Sequence, residues 1–542
     1  MANSRCLIGG AVIVGLVLAI VGILCIIGFP IDSLVRKQIL ENDYLGYTTD
    51  ENGTEILTNM TATWLKPQYK MQLNIWMFNV TNVDDVLHRH AKPNLQEIGP
   101  FVFDEKQEKV YHKFAANDTR VFYKNQKLYF FNKNASCEAC HLNINVTIPN
   151  VVFQKLVDAA EDTIFGIRIR FAIESILKLV KEGPFITVSV NDALFNGYHD
   201  PIVDLVCKNQ ILSILCTSNI ITKRVGFFYG QNGTTDGTYE VDTGKPSPFN
   251  IGKVYSWNNM SMMPEDVWDS PYARMINGSD GQVFSPMLQR EKRLSVFVSQ
   301  LCRSIQLEYV KDVAVAGVPS WRYTAPSDLY DPAIPANRDF CNKHGTPRYF
   351  DNTTIQIENC LPAGIIDLSR CQAGSPRVYL SQPHFYKSPK ELWHAVSGLA
   401  VPSDANDNTY VDLEPNAGVP TQAKRTVQIN VGMVKGSLSI TENTTNVIVP
   451  VLWMNETAFF DDGTREQLSS IFGVKHYSFI GGVASLLVGV LTWLAVFVVI
   501  IAFSRQEPDE YGRLIFEDDD GEEGQQNLND ELVQPASEIS AQ

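Results

Sequence analysis

The 542 residues predict a two-span membrane protein whose large ectodomain is mainly antiparallel β (α+β) and carries a helical cap. Three observations lead there. An apolar stretch lies near each end of the chain, every glycosylation sequon falls between the two, and the intervening residues alternate like strands except for one helical block.

The first apolar stretch covers 7–29, "LIGGAVIVGLVLAIVGILCIIGF", and the second covers 480–503, "IGGVASLLVGVLTWLAVFVVIIAF". Each is roughly 35 Å long as a helix at 1.5 Å per residue, enough to cross hydrocarbon. Apart from the Cys25 thiol, neither carries an ionisable side chain. The first run is too long for a signal peptide and is not closed by a small-residue cleavage site, so it reads as an uncleaved anchor. Small residues recur every four positions, at Ala11, Gly15 and Ala19 and at Gly481, Ser485 and Gly489. Such faces let spans approach closely, within one copy or between two.

Flanking charges do not orient the spans, because Lys or Arg lies on both sides of each. The sequons decide instead. They begin at Asn52, Asn59, Asn79, Asn117, Asn134, Asn145, Asn232, Asn259, Asn277, Asn352, Asn443 and Asn455, all between the spans. That distribution assigns 30–479 to the luminal or extracellular side, and the ends 1–6 and 504–542 to the cytoplasm. Eight of the ten cysteines fall in the same outer segment, where disulfides persist. The formal charge of −15 is uneven: from Ser504 onward twelve acids face two arginines, which predicts a disordered acidic tail. With no basic stripe elsewhere, nucleic acid is excluded as a partner.

Within the ectodomain, "KMQLNIWMF" places Met71, Leu73, Ile75 and Met77 on one face, "FITVSV" does so with Ile186, Val188 and Val190, and "TVQINVGM" with Val427, Ile429, Val431 and Met433. The glycine-rich stretches "NGTTDG" and "INGSDG" read as turns between strands. The third apolar region, 151–180, carries Arg168, Arg170, Glu174 and Lys178, so it predicts two soluble helices, meeting near Phe165-Gly166 and stopping at Gly183-Pro184. Smaller helices are expected near 30–42 and 83–90. No linker divides this single large domain.

Chemistry-bearing patterns are few. "CEACH", at 137–141, matches the haem-attachment spacing, but between two sequons it reads as a local disulfide of Cys137 with Cys140 on an exposed loop; Cys207 and Cys216 invite the same reading. No nucleophile-elbow, zinc-protease or phosphate-loop pattern occurs, so no enzyme activity and no cofactor is expected. Arg170, Glu174 and Lys178 share a helix face at i, i+4 spacing. With Lys155 and Lys181 these cations mark the candidate ligand-binding face of the cap.

Taken together, "KPNLQEIGPFVF", "GYHDP", "GFFYGQNGTTDGTY", "LCRS", "GIIDLSRCQAGSPRVYLSQPHF", "DLEPNAG", "AKRTVQIN" and "VIVPVLWMNET" resemble the class B scavenger receptor family over nearly the whole chain. That family takes in fatty acid translocase, the high-density-lipoprotein receptor and lysosomal integral membrane protein type II. The resemblance implies a β-barrel-like core with an internal hydrophobic tunnel, capped by a helical bundle at about 150–182. It implies binding of lipids such as fatty acids, sterols or phospholipids, of lipoproteins, or of a luminal enzyme carried to lysosomes. It also implies disulfides joining Cys302 with Cys371 and Cys341 with Cys360, and basic ligand contacts at Lys178 and Lys181. Two features depart from the family pattern: the Cys137/Cys140 and Cys207/Cys216 pairs, and "DALFNGY" at 192–198.

In the tail, Glu510, Leu514 and Ile515 fit an acidic dileucine sorting signal read by clathrin adaptors, a form that the lysosomal member shares. An endosomal or lysosomal membrane is therefore expected, with the plasma membrane as the alternative. Cys6, at the edge of the first span, is a candidate for palmitoylation. The rival of another class is a two-span ion channel, but the spans lack charged pore-lining positions. A homo-oligomer is compatible with the small-residue faces.

Overall fold

The computed structural model describes residues 2–504, apart from 43, 162–165, 181–182, 219, 343–344, 373 and 461. Lys181 and the tail signal at Glu510, Leu514 and Ile515 lie outside the described residues. The chain forms two units, 1–30 with 477–542, and 31–476.

The first unit holds helix α1 (Ala2–Ile26) and the part of the C-terminal helix Asp462–Ser504 from Tyr477 onward; the apolar runs are Leu7–Ile26 and His476–Ala502. Cys6 falls within α1, but its side chain is outside the described residues. The first run stops three residues earlier than the hydropathy suggested. Gly28, at φ +73°, donates its N–H to the Cys25 carbonyl and unwinds the helix there.

The two runs pack through small residues. A Cβ on Gly489 would lie 2.8 Å from the Gly15 oxygen, and one on Gly22 would lie 2.7 Å from the Leu486 nitrogen. The Ser485 hydroxyl donates to the Leu18 carbonyl at 2.9 Å, and the Trp493 indole to that of Val12 at 3.1 Å. The expected face is corrected at one position. Gly481 meets open space, and its neighbour Gly482 takes the contact: a Cβ there would lie 2.9 Å from the Gly22 oxygen. A spacing of seven, Gly15 to Gly22 and Gly482 to Gly489, keeps such residues on one stripe of a helix.

The second unit is built on strands. A hairpin, β1 (Tyr47–Thr49) with β2 (Glu55–Leu57), stands alone. A second small sheet pairs β6 (Asn145–Pro149) with β7 (Phe185–Ser189), setting Val146 opposite Val188 and Ile148 opposite Ile186. The main sheet has thirteen strands. They are β3 (Tyr69–Val80), β4 (Leu95–Ala115), β5 (Arg120–Phe131), β8 (Thr235–Asp242), β9 (Val254–Trp257), β10 (Leu294–Val298), β11 (Arg303–Val315), β12 (Val318–Thr324), β13 (Ile366–Asp367), β14 (Val378–Ser381), β15 (Tyr410–Glu414), β16 (Val419–Met433) and β17 (Val447–Phe460). The order is β10-β11-β12-β15-β16-β17-β3-β4-β5-β8-β9, with β13-β14 branching from β16, and every pair is antiparallel.

The ends of that order, β10 and β9, are bridged by "INGSDG", which the composition reads as a simple turn. Val254 donates to the Gly278 carbonyl at 2.8 Å, Ser279 donates to Ser295 at 2.9 Å, and Phe297 donates back to Ser279 at 2.9 Å. The segment thus satisfies both sheet edges and nearly closes the sheet as a barrel. It is held from within as well: Asp280 accepts from the Tyr123 hydroxyl at 2.7 Å and pairs with Lys109 at 3.7 Å. "NGTTDG" is likewise not a turn throughout, because β8 begins at Thr235.

Alternation along the strands sets what the buried face holds. Register places Leu73 between Phe103 and Glu456, and Ile75 beside Phe101. Leu73, Ile75, Phe101 and Phe103 are buried, each contributing roughly 1.5–3 kcal/mol. Two residues further along β4 the same face turns charged. Lys127 pairs with Glu105 at 2.7 Å and with Glu456 at 2.8 Å, and Arg425 pairs with Glu456 as well. Burial would raise the Glu456 carboxyl, but Arg425 and Lys127 outweigh it and hold the group down at about 2.

Helices lie where they are expected at α2 (Phe29–Asn42), α4 (Val83–Arg89), α5 (Val151–Glu161) and α6 (Gly166–Val180), whereas α3 (Asn59–Leu65), opened by the Thr58 side chain accepting from the Thr61 N–H, was not expected. Two more, α7 (Pro201–Lys208) and α8 (Ser213–Thr217), had not been anticipated. Asp200 accepts from the Ile202 N–H at 2.9 Å and Pro201 opens the helix, a start signal visible in "HDPIVD".

Four disulfides join Cys137 to Cys140, Cys207 to Cys216, Cys302 to Cys371 and Cys341 to Cys360. Cys140 is buried in the apolar core, not displayed on an exposed loop, because the Cys137 N–H is tied to the Pro100 carbonyl at 3.1 Å.

Candidate functional site at the helical cap

Helix α6 has two faces of different character. Ile169, Ile173, Ile176 and Leu177, spaced by four, three and one, are buried against α5 and its neighbours. On the other side Ile167, Phe171 and Leu179 stand 66%, 63% and 75% exposed, with Ser175 completing the i+4 row. Arg168 flanks this row, and Lys178, 66% exposed, adjoins its end. Exposed apolar side chains in a row with cations beside them form a surface suited to an apolar partner that also carries negative charge.

The structure redistributes the predicted cations. Lys178 remains at the surface, bonded to Glu174 at 3.1 Å. Lys155 is only 14% exposed; it pairs with Asp158 at 3.6 Å and donates to the Ser375 carbonyl at 3.3 Å. Arg170 donates to the Ser437 carbonyl at 2.6 Å. Glu174 accepts from the Ser439 N–H at 3.2 Å and from its hydroxyl, and Glu161 accepts from the Ser437 N–H. The row Arg170–Glu174 is therefore a clasp on residues 437–439. Both clasping carboxyls, Glu161 and Glu174, lie below their ordinary value: burial works against this, but their bonds to Ser437 and Ser439 prevail.

Of the sequon asparagines, Asn52, Asn59, Asn117, Asn134, Asn145, Asn232, Asn259, Asn352 and Asn443 are exposed. Asn79, Asn277 and Asn455 are half-buried on or beside strands.

A buried ionic relay escaped the sequence reading. His384 lies between Asp407, 3.0 Å from Nδ1, and Glu97, 3.3 Å from Nε2. Glu97 also accepts from the Trp453 indole at 2.9 Å, and Trp453 stacks on Trp76 with centroids 3.8 Å apart. Burial disfavours the imidazolium, yet the two carboxylates push its value up to about 9. The relay ties β4, residues 383–385 and β17 together, and no local spacing among Glu97, His384 and Asp407 could have announced it.

A family model described as the CD36 family matches residues 13–500. The chain belongs to the CD36 family. Among CD36-family relatives, lysosome membrane protein 2 of Mus musculus is 29% identical over 498 residues, covering 91% of this chain and 95% of that protein. Its Homo sapiens counterpart is 28% identical over 472 residues, 86% and 89% of the two chains. Scavenger receptor class B member 1 of Rattus norvegicus is 27% identical over 486 residues, 88% and 86%. The protein is thus a class B scavenger receptor of the CD36 family: a membrane protein with two apolar helices flanking a large β-rich domain with a nearly closed, barrel-like sheet.

Proposed function

We propose that this receptor binds lipids, or a lipid-bearing particle or protein, on the outer face of α6 and passes lipid on through a hydrophobic tunnel in its ectodomain. The observation that carries the reading is the exposed row Ile167, Phe171 and Leu179 beside Arg168 and Lys178. An acyl chain or sterol costs about 0.8 kcal/mol per CH₂ left in water, so an apolar landing face followed by a sheltered route lowers the barrier to transfer. The change from apolar Phe101 and Phe103 to charged Glu105 along β4 restricts such a route to the apolar part of the interior.

The ectodomain, 30–479, faces the lumen or exterior, and the acidic tail reaches clathrin adaptors through Glu510, Leu514 and Ile515. Because relatives are named lysosome membrane protein 2, a lysosomal or endosomal membrane is the favoured site. On this reading the same cap face could carry a luminal protein to that compartment.

The test is Phe171→Glu with Leu179→Glu in the full chain. Both side chains are exposed, so folding is retained. Crosslinking to a photoreactive sterol or fatty acid in liposomes should fall at least tenfold. Equal crosslinking in variant and wild type would refute the cap reading. If lipid labelling persists while co-purification of a luminal protein is lost, the carrier reading replaces it.

A further inference from the structure

Arg303, the residue after Cys302 in "LCRS", is 4% exposed. Its guanidinium stacks on Phe340, 3.3 Å from the ring centroid, and lies 5.7 Å from that of Tyr330. Its Nε is sealed from solvent and donates to nothing, and among the described residues no carboxylate pairs with any of its nitrogens. Burial lowers its pKa only to about 10, so the group stays charged. A cation withdrawn from water is stable when a counter-charge meets it; Asp328 and Asp367 line the neighbouring cavities, but among the described residues neither forms an ion pair with Arg303.

The space for one is present. Arg303 lines two adjoining cavities, of about 160 Å³ and about 30 Å³, which also share Leu329, Asn337 and Phe340. The larger also has Tyr272 and Gln306 on its wall, both exposed to solvent, so that it opens to the surface there. Arg293 stands on the same wall, paired with Glu308 at 3.1 Å and with Asp328 at 3.8 Å. A volume of about 160 Å³ holds about five waters at roughly 30 Å³ each. That is room for a phosphate or a carboxylate group and too little for a sterol.

We propose that this chamber binds a small oxyanion, a phosphate or carboxylate, gripped by the Arg303 fork and further bonded by Tyr272 and Gln306. The planar guanidinium matches both groups through two parallel N–H bonds, which an ammonium cannot do. The site is separate from the face of α6 and does not depend on its role. The oxyanion is either free in solution or the head group of an amphiphile.

The experiment is arginine footprinting of the full glycosylated chain in detergent. Phenylglyoxal adducts at Arg303 are quantified by mass spectrometry with inorganic phosphate, with octanoate, or with chloride at equal ionic strength. Phosphate or octanoate should slow modification of Arg303 at least fivefold, saturably, while exposed Arg89 is unaffected. Protection by phosphate alone identifies a phosphoryl group; protection by octanoate at lower concentration identifies an amphiphile's carboxylate. In titration calorimetry Arg303→Lys should weaken the binding at least tenfold. The wild-type footprint stands even where that variant fails to fold. Equal modification of Arg303 under all three conditions overturns the proposal.

Discussion

A Cβ placed on Gly278 would lie 2.1 Å from the carbonyl oxygen of Ser295, so the segment that bridges the two sheet edges admits only glycine there. The residue also sits at φ +86°. Gly278→Ala should destabilise the β-rich domain by about 2 kcal/mol or more, through a backbone clash no rotamer can relieve. Gly317→Ala, at φ +85° with open space around it, should cost only about 1–2 kcal/mol. Thermal unfolding of the two variants in detergent checks the order, and equal losses would mean that the edges need no bridge.

Removing Glu456 should be more damaging than breaking a surface pair. Glu456→Gln leaves Lys127 and Arg425, both half-buried, with Glu105 as their remaining counter-charge in this cluster, and a loss of about 1.5–3 kcal/mol is expected. Asp312→Asn, which breaks the exposed bridge to Arg290, should cost under about 1 kcal/mol. Denaturant midpoints of both variants make the comparison.

Stability should depend on pH through His384. Its folded value, about 9, exceeds the ordinary 6.5, so its contribution is complete below pH 6.5 and is lost as the pH rises towards 9. The melting temperature should fall across that window, and His384→Asn should flatten the slope while lowering the whole curve. Asp367 and Glu105, whose carboxyls burial pushes up, take up protons on folding and add stability as the pH drops. The protein is thus expected to melt higher at pH 5.5 than at pH 8.5; the reverse order would contradict these assignments.

The tail proposal has its own readout. Leu514→Ala with Ile515→Ala should raise the surface-biotinylated fraction several-fold, and an unchanged fraction would remove the sorting role.

How much of this was legible depended on the range of the interactions. Alternation in "KMQLNIWMF" and "TVQINVGM" is a local signal, and β3 and β16 lie where it places them. Helices α5 and α6 lie in the block 151–180 that its apolar run with interspersed charges marks as soluble helix. Helix α7 was announced by Asp200 and Pro201 but is short enough to be passed over. The roles of Arg170 and Lys155 were not legible, because their partners Ser437 and Ser375 lie 267 and 220 residues away. Arg303 stood in a stretch read only for its cysteine; nothing in "LCRS" tells that the guanidinium is buried and unpaired.

The close approach of Gly15 and Gly489 bears on the ion-channel alternative. Backbones this close leave no room for water or an ion to slip between the two helices of a single copy. A conducting pore would need several copies arranged as a ring. A single copy therefore has no passage down the axis of the helix pair.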